Sequence, residues 1–293
     1  STDVMSKVMS GMGQSGLGAG ASGGGGGLPS LAGLTAFGFK GGKGGLIGHF
    51  YDLRQLADRK PSEAAHDIQG SKNYYNAVHA FLQNWDEALL KKYYCAPDSM
   101  LAVRLYMPCS ISTSAAHDFG VEKETHNPLW VVHYKGAIIA PETGDFRFWA
   151  SADDFMAIRF DGKTVLQRER GLLSPSDIAD INAVMPGGMA LKGSWMHLEQ
   201  GKRYPMEILI GDTGGLYHQI LLIEQKNPKV PYAMRSSTPN IPKLPLVQFQ
   251  KGIPMPIYDP KAAMKPEVMQ MARGNYSRNP EPASEPFILP AAK

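Results

Sequence analysis

From Leu101 to Glu224 apolar and polar residues alternate in short runs. Leu101, Val103 and Leu105 alternate with Ala102 and Arg104; Trp130, Val132 and Tyr134 follow, then Phe146 and Phe148, then Met156, Ile158 and Phe160. Near the end Met206, Ile208 and Ile210 alternate with Glu207 and Leu209, and QILLIE at 219–224 reads as a last strand. A period of two sends successive side chains to opposite faces, so each run predicts a strand. Many such strands, separated by Gly, Asp and Pro turns, predict an antiparallel sandwich or barrel. Asp161-Gly162 is the residue pair that favours the positive φ of a tight hairpin.

One stretch has the other period. Between Ser71 and Tyr94, Tyr74, Val78, Phe81, Leu82, Trp85 and Leu89 recur at helical spacing, with Lys91 and Lys92 placed to suit the helix dipole at the last turn. This predicts one amphipathic helix. A second, short helix is predicted to start at Ser174-Pro175-Ser176-Asp177 and to end at Met185-Pro186-Gly187-Gly188, inserted between strands.

The alternation stops at both ends. Residues 1–44 are Gly, Ser, Ala and Met with little else, too poor in apolar surface to offset their ordering entropy, and read as a glycine-rich arm. Residues 45–225 form the strand-rich domain, and residues 226–293, with prolines every few positions, read as an extended tail rather than a second core. Leu244 to Phe249 and Phe287 to Leu289 interrupt that tail as pieces able to lie as strands or wedges on something else.

Composition narrows the function. The formal charge of +3 over 293 residues, with Lys and Arg scattered, excludes nucleic acid as a predicted partner. No apolar run is long enough to span a bilayer, and Ser1 in place of an initiating Met reads as a processed or trimmed product whose export signal has gone. The two cysteines, Cys95 and Cys109, are a disulfide candidate or two buried thiols.

Catalysis finds no support. The eight histidines form no two-His helical metal pair, no nucleophile elbow occurs, and neither cysteine has a nucleophile's local signature. Gly11-Met12-Gly13-Gln14-Ser15-Gly16 matches a dinucleotide-binding pattern without a preceding strand, and Gly42-Lys43 lacks the rest of a phosphate-binding loop. No catalytic residue is assigned.

Two features remain. Asp153-Asp154 sits between two predicted strands, where adjacent carboxylates either cap a tight turn or supply charge to a site. Trp149 is out of phase with Phe146 and Phe148; if those point inward, it points to solvent, a glycan, the covering helix or a neighbouring subunit. It is the candidate ligand-binding aromatic.

These words fall into a familiar order. Gly45-Leu46-Ile47-Gly48-His49-Phe50-Tyr51-Asp52, then Val132-His133-Tyr134-Lys135-Gly136-Ala137-Ile138-Ile139-Ala140-Pro141, Gly144-Asp145-Phe146-Arg147-Phe148, Ser151-Ala152-Asp153-Asp154 and Phe160-Asp161-Gly162-Lys163 resemble the signature of the anthrax protective antigen N-terminal domain family. Leu198-Glu199-Gln200-Gly201-Lys202-Arg203-Tyr204-Pro205-Met206-Glu207-Ile208 resembles its penultimate segment, so the likeness spans about 45–225. It implies a β-sandwich of the kind found in toxins, glycosidase accessory modules and cell-wall adhesins, and no single activity. In the adhesin branch the matching aspartates hold calcium through a cis peptide, and the ion binds sugar hydroxyls. Asp153 and Asp154 are therefore the metal candidates that the resemblance implies. The sequence departs from the pattern in having Phe155 where Gly is common, and in lacking an Asn-bearing loop to complete the shell.

The expected protein is a mainly β, antiparallel β-sandwich with one amphipathic helix, a short inserted helix and extended tails. It is a non-catalytic, extracellular or surface-exposed structural or adhesive subunit that self-associates through those tails, with a filament as the open product of head-to-tail contacts. The alternative is a calcium-dependent carbohydrate-binding module with surface glycans as partners.

Overall fold

The structure is a computed structural model, describing residues 33–41, 45–67, 71–125, 129–168, 184–185, 188–234, 242–256 and 282–292. Its centre is a nine-stranded sheet facing a six-stranded one. The larger sheet runs β1 (Leu34–Thr35), β2 (Gly38–Lys40), β5 (Met100–Ala102), β3 (Leu46–Leu56), β7 (Trp130–Ile139), β14 (Arg203–Asp212), β9 (Phe155–Phe160), β10 (Lys163–Arg168), with β4 (Tyr93–Cys95) on β3. The smaller runs β11 (Val184–Met185), β12 (Gly188–Lys192), β8 (Gly144–Asp153), β15 (Leu216–Gln225), β6 (Tyr106–Ile111), with β13 (Met196–Leu198) on β8. Every pairing within these two sheets is antiparallel. The chain forms the predicted β-sandwich.

The period-two pattern explains which side chains meet between the sheets. Met206, Ile208 and Ile210 of β14 join Phe146 and Phe148 of β8 and Met156, Ile158 and Phe160 of β9 in one core. Leu209, on the opposite face of β14, is also fully buried, because a helix covers that face. Asp161-Gly162 makes the predicted hairpin: both residues have positive φ (47° and 78°), and Phe160 pairs with Lys163 across them.

The covering helix is shorter than its periodic signal. Helix α1 (Lys72–Asn84) buries Tyr74, Val78, Phe81 and Leu82 against Leu53, Val131, Phe155 and Leu209. Trp85 then turns left-handed (φ 54°), closing the helix with its N–H on the Phe81 carbonyl. A separate turn, α2 (Glu87–Leu90), starts with the Asp86 side chain accepting from the Ala88 N–H, and Leu90 rather than Leu89 is buried. The expected single helix over 71–94 is thus two helices followed by β4. The sequence reading missed a third short helix, α3 (Ser114–Asp118). The helix expected from Ser174 lies outside the described residues, apart from its last positions, of which Val184 and Met185 form β11.

Both flanking regions contribute to this sandwich. From the arm, β1 and β2 form a hairpin on the edge of β5, and Phe37 between them is fully buried against Phe119 and Trp130. From the tail, β16 (Val247–Gln248) and β17 (Phe287–Ile288) pair in parallel. Val247, Phe249 and Leu289 enter the main core, whereas Leu244 and Leu246 lie on the outer face of the smaller sheet. The pieces read as able to lie on something else lie on their own chain, held by bonds such as Phe249 N–H to the Val103 carbonyl and Ala292 N–H to the Ala137 carbonyl (both 2.8 Å).

Candidate cation site at the sheet crossings

Strands β8 and β9 are consecutive but belong to different sheets, with Asp154 alone between them. The reverse passage occurs beside it: β14 ends at Asp212 in the larger sheet and β15 begins at Leu216 in the smaller one. Asp153 pairs with His218, and Phe155 with Gly211, so both crossings share one end of the sandwich. The aspartate pair therefore marks the place where the chain changes sheets. The Asp153-Asp154 peptide bond is cis.

Crossing strands leave polar groups in a tight space. Asp154 is 3% exposed and Asp212 is 1% exposed, while Asp153 is half-buried. Asp154 Oδ2 accepts from the Thr213 N–H at 2.7 Å and the Thr213 hydroxyl at 2.6 Å. Asp212 Oδ2 accepts from the Gly214 N–H at 2.9 Å, but its Oδ1 has no donor in bonding geometry. Gln219 donates to the Asp153 and Gly211 carbonyls, leaving its own buried Oε1 equally without a donor. Buried oxygens in this condition are uncommon and call for an explanation.

Charge sharpens the point. Burial, and then the neighbouring Asp154, push the Asp212 carboxyl up to about 8, against weaker help from Ser112 and the Gly214 N–H. Tyr74 of α1 closes the site from the helix side, its hydroxyl donating to the Trp130 carbonyl at 2.9 Å. Burial, and next the Asp154 and Asp212 charges, push that phenol well above its ordinary range.

These groups suit a hard cation. The donors are carboxylate and amide oxygens, the set that calcium takes, and a divalent ion would satisfy Asp212 Oδ1 while removing the repulsion between two buried acids. Asp154 and Asp212 would hold it, with Gln219 Oε1 as a neutral donor. The aspartates at 153, 154 and 212 do not gather their oxygens into one compact set of three; among the described residues the only His, Cys, Asp and Glu group that does is Glu87, His133 and Glu207. That group is already matched in charge. Glu87 pairs with Lys135, and Glu207 lies 2.9 Å from His133 and 3.4 Å from Arg159, so it works as an ionic clamp holding α2 to the sheet.

The structure keeps Asp153 and Asp154 together and adds Asp212, Thr213 and Gln219, which sequence reasoning did not select. Their signals were present, in the turn sequence Asp212-Thr213-Gly214-Gly215 and in a Gln opening the apolar run QILLIE. Trp149 points away from the core as its phase required, yet is only 3% exposed. The tail residues Leu244 and Leu246 cover it beside Ile220 and Leu222, and its Nε1–H donates to Glu224 at 2.7 Å. It offers no open ring face to a ligand. Cys95, half-buried on β4 of the larger sheet, is a free thiol. Cys109 lies on β6 of the smaller sheet, its side chain outside the described residues. Burial raises the Cys95 thiol above its ordinary value.

No protein-family model matches the sequence, and no curated protein matches it. Among solved structures, the PA14 domain of the antifreeze protein MpAFP is 13% identical, covering 66% of this chain and 88% of its own, with a TM-score of 0.39. A PA14 sugar-binding domain from an RTX adhesin is 14% identical, covering 63% and 92%, with a TM-score of 0.38. The A domain of epithelial adhesin 6 from Candida glabrata, in complex with Galb1-3GlcNAc, is 14% identical, covering 70% and 87%, with a TM-score of 0.39. No helix among the described residues is long and apolar enough to cross a membrane.

Proposed function

We propose that this chain is a non-catalytic adhesive module, working outside the cell, whose sandwich holds a calcium ion at Asp154 and Asp212 and binds carbohydrate at that end. The observation that carries the reading is the burial of the Asp212 carboxyl beside a second buried carboxylate, with Ser112 near it but no donor in good bonding geometry on its Oδ1. A bound calcium ion supplies a hard Lewis acid that can accept sugar hydroxyls. The chain's own part is orientation: Thr213 fixes Asp154 through two bonds to one oxygen, and Gly214 fixes Asp212 through the other carboxylate oxygen. Both acids are buried at a strand crossing, whereas hydrolysis of a glycoside needs two carboxyls facing each other across the scissile bond.

The test is thermal unfolding of the full chain in EDTA and in added calcium, with retention on a glycan array in both. Calcium should raise the midpoint of wild type and leave Asp212→Asn and Asp154→Asn unmoved, and in a Trp195→Ala background glycan retention should need calcium. An unchanged wild-type midpoint would overturn the cation site, and retention of the Trp195→Ala chain in EDTA would overturn its role.

Self-association through the tails is the other reading. It draws on the composition of the flanks, but their strand-forming pieces at 244–249 and 287–289 pack within the chain. Mass measurement on the full chain and on one lacking residues 1–32 tests it: polymers that vanish with the deletion would establish an assembly subunit.

A further inference from the structure

The exposed large hydrophobics among the described residues are Trp195, Val230 and Met234, and Trp195, 40% exposed, is the one aromatic among them. It lies just before β13, which pairs with the start of β8, so it sits at the opposite end of the sandwich from Asp153 and Asp154. An indole left in water forfeits a large burial contribution, and this one is nevertheless held firmly. The Arg147 guanidinium stacks 4.3 Å from its ring centre, and Arg147 is itself fixed by Glu224 at 2.6 Å. Glu224 also accepts from Trp149, so the brace is tied into the buried face of the smaller sheet.

Beside the braced ring opens a cleft of about 590 Å³, lined by Asp161, Thr164, Ser194, His197 and Tyr204 together with Trp195. That volume lies in the range of small-molecule sites. Its walls offer hydroxyls, a carboxylate and an imidazole. His197 is exposed, with Nδ1 on Asp145 at 2.8 Å, which orients the ring and leaves Nε2 toward solvent. Tyr204 stacks flat on Phe160 (centroids 5.4 Å apart, planes at 24°), giving the cleft a rigid floor. The charges around the ring are mixed: Arg147 pairs with Glu224, Lys226 Nζ lies 5.8 Å from the ring centre, Asp145 holds His197, and Asp161 and Lys163 both line the cleft.

We propose that this cleft is a second carbohydrate site, taking a neutral mono- or disaccharide whose apolar ring face stacks on Trp195 and whose hydroxyls bond to Asp161, Thr164 and His197. A fixed aromatic plane next to polar groups of both signs, with no one charge dominating, fits an uncharged polyhydroxyl ligand better than an ion or an apolar molecule. The site contains no part of the cation cluster and does not rest on it.

The experiment is retention of the full chain on an array of neutral sugars (glucose, galactose, mannose, N-acetylglucosamine and their disaccharides), in EDTA, for wild type, Trp195→Ala, His197→Ala and Asp212→Asn. Wild type should bind without calcium, Trp195→Ala should lose at least tenfold, and His197→Ala should lose less, both with unfolding midpoints close to wild type. No retention by wild type in EDTA, or equal retention by Trp195→Ala, would overturn the proposal. A calcium-restored signal lost in Asp212→Asn reports on the other end alone, so the two sites fail separately.

Discussion

Thr213 places both its N–H and its hydroxyl on one oxygen of Asp154, at 2.7 and 2.6 Å. The two residues stand 59 positions apart, and the pair of bonds pins the β14–β15 crossing to the β8–β9 crossing. Hydrogen bonds to a charged acceptor are worth about 1.5–3 kcal/mol, and more is lost when the buried acceptor is left short of donors. Thr213→Val keeps the side-chain shape and the backbone donor but deletes the hydroxyl. It should destabilise the protein by about 1–2 kcal/mol in urea unfolding. Wild-type stability in that variant would show that the hydroxyl bond adds nothing to the backbone bond from the Thr213 N–H.

Asp212 gives the calcium-free protein a pH signature. In the folded chain its carboxyl is pushed up to about 8 from an ordinary 3.8, so between these values the folded state carries a proton that the unfolded state has lost. The associated stability is therefore complete below the ordinary aspartate range and falls as pH rises, by up to about 1.4 kcal/mol per pH unit, levelling off above about pH 8. Asp212→Asn should remove this part of the slope. Calcium held there as proposed would compete with the same proton, so its stabilising effect on wild type should grow toward pH 8. Urea unfolding across that range in EDTA checks both, and identical slopes in the two proteins would contradict them.

The alternation of residues in β8, β9, β14 and β15 reveals which faces meet in the core, because a strand's period is local. The adjacent acids are visible in the sequence for the same reason, since they are neighbours on the chain. The place of Asp212 is not: its character comes from burial beside Asp154, which only the sheet order brings near it. The end of α1 was hidden because Trp85 turns left-handed without being Gly, the residue that usually announces such a turn. Trp149 had its direction right and its surroundings missing, since the residues that cover it, Leu244 and Leu246, come from a proline-rich stretch with no period of its own.

That covering layer can be tested directly. Leu246 is fully buried in the cluster with Trp149, Ile220 and Leu222, and its strand neighbour Val247 reaches the main core. Leu246→Ala should cost about 2–4 kcal/mol, the usual range for a buried Leu truncated to Ala. Emission of Trp149, taken as the difference between a Trp195→Phe chain and one that also carries Trp149→Phe, should shift toward that of a hydrated indole. A variant as stable as wild type, with an unshifted spectrum, would mean that the tail lies loosely on the sandwich and is available for other contacts.

Gly211 sets how close α1 can approach the buried acids Asp154 and Asp212. A Cβ at this position would lie 2.4 Å from the Tyr74 hydroxyl and 2.7 Å from both the Trp130 carbonyl and a Phe155 ring carbon. Two of these neighbours cannot yield cheaply: the carbonyl is backbone in β7, and Phe155 is fully buried. Gly211→Ala should therefore cost about 1–3 kcal/mol, the range for overpacked cores, and should weaken the calcium response, since Asp212 is the next residue. Tyr74→Phe removes the nearest atom and also its bond to the Trp130 carbonyl, a loss of about 1 kcal/mol by itself. Combined, the two should cost less than their sum, because the hydroxyl lost in one is the atom struck in the other. Strict additivity in urea unfolding would place the strain on Trp130 and Phe155 instead, and would free Tyr74 of any part in spacing the helix from the site.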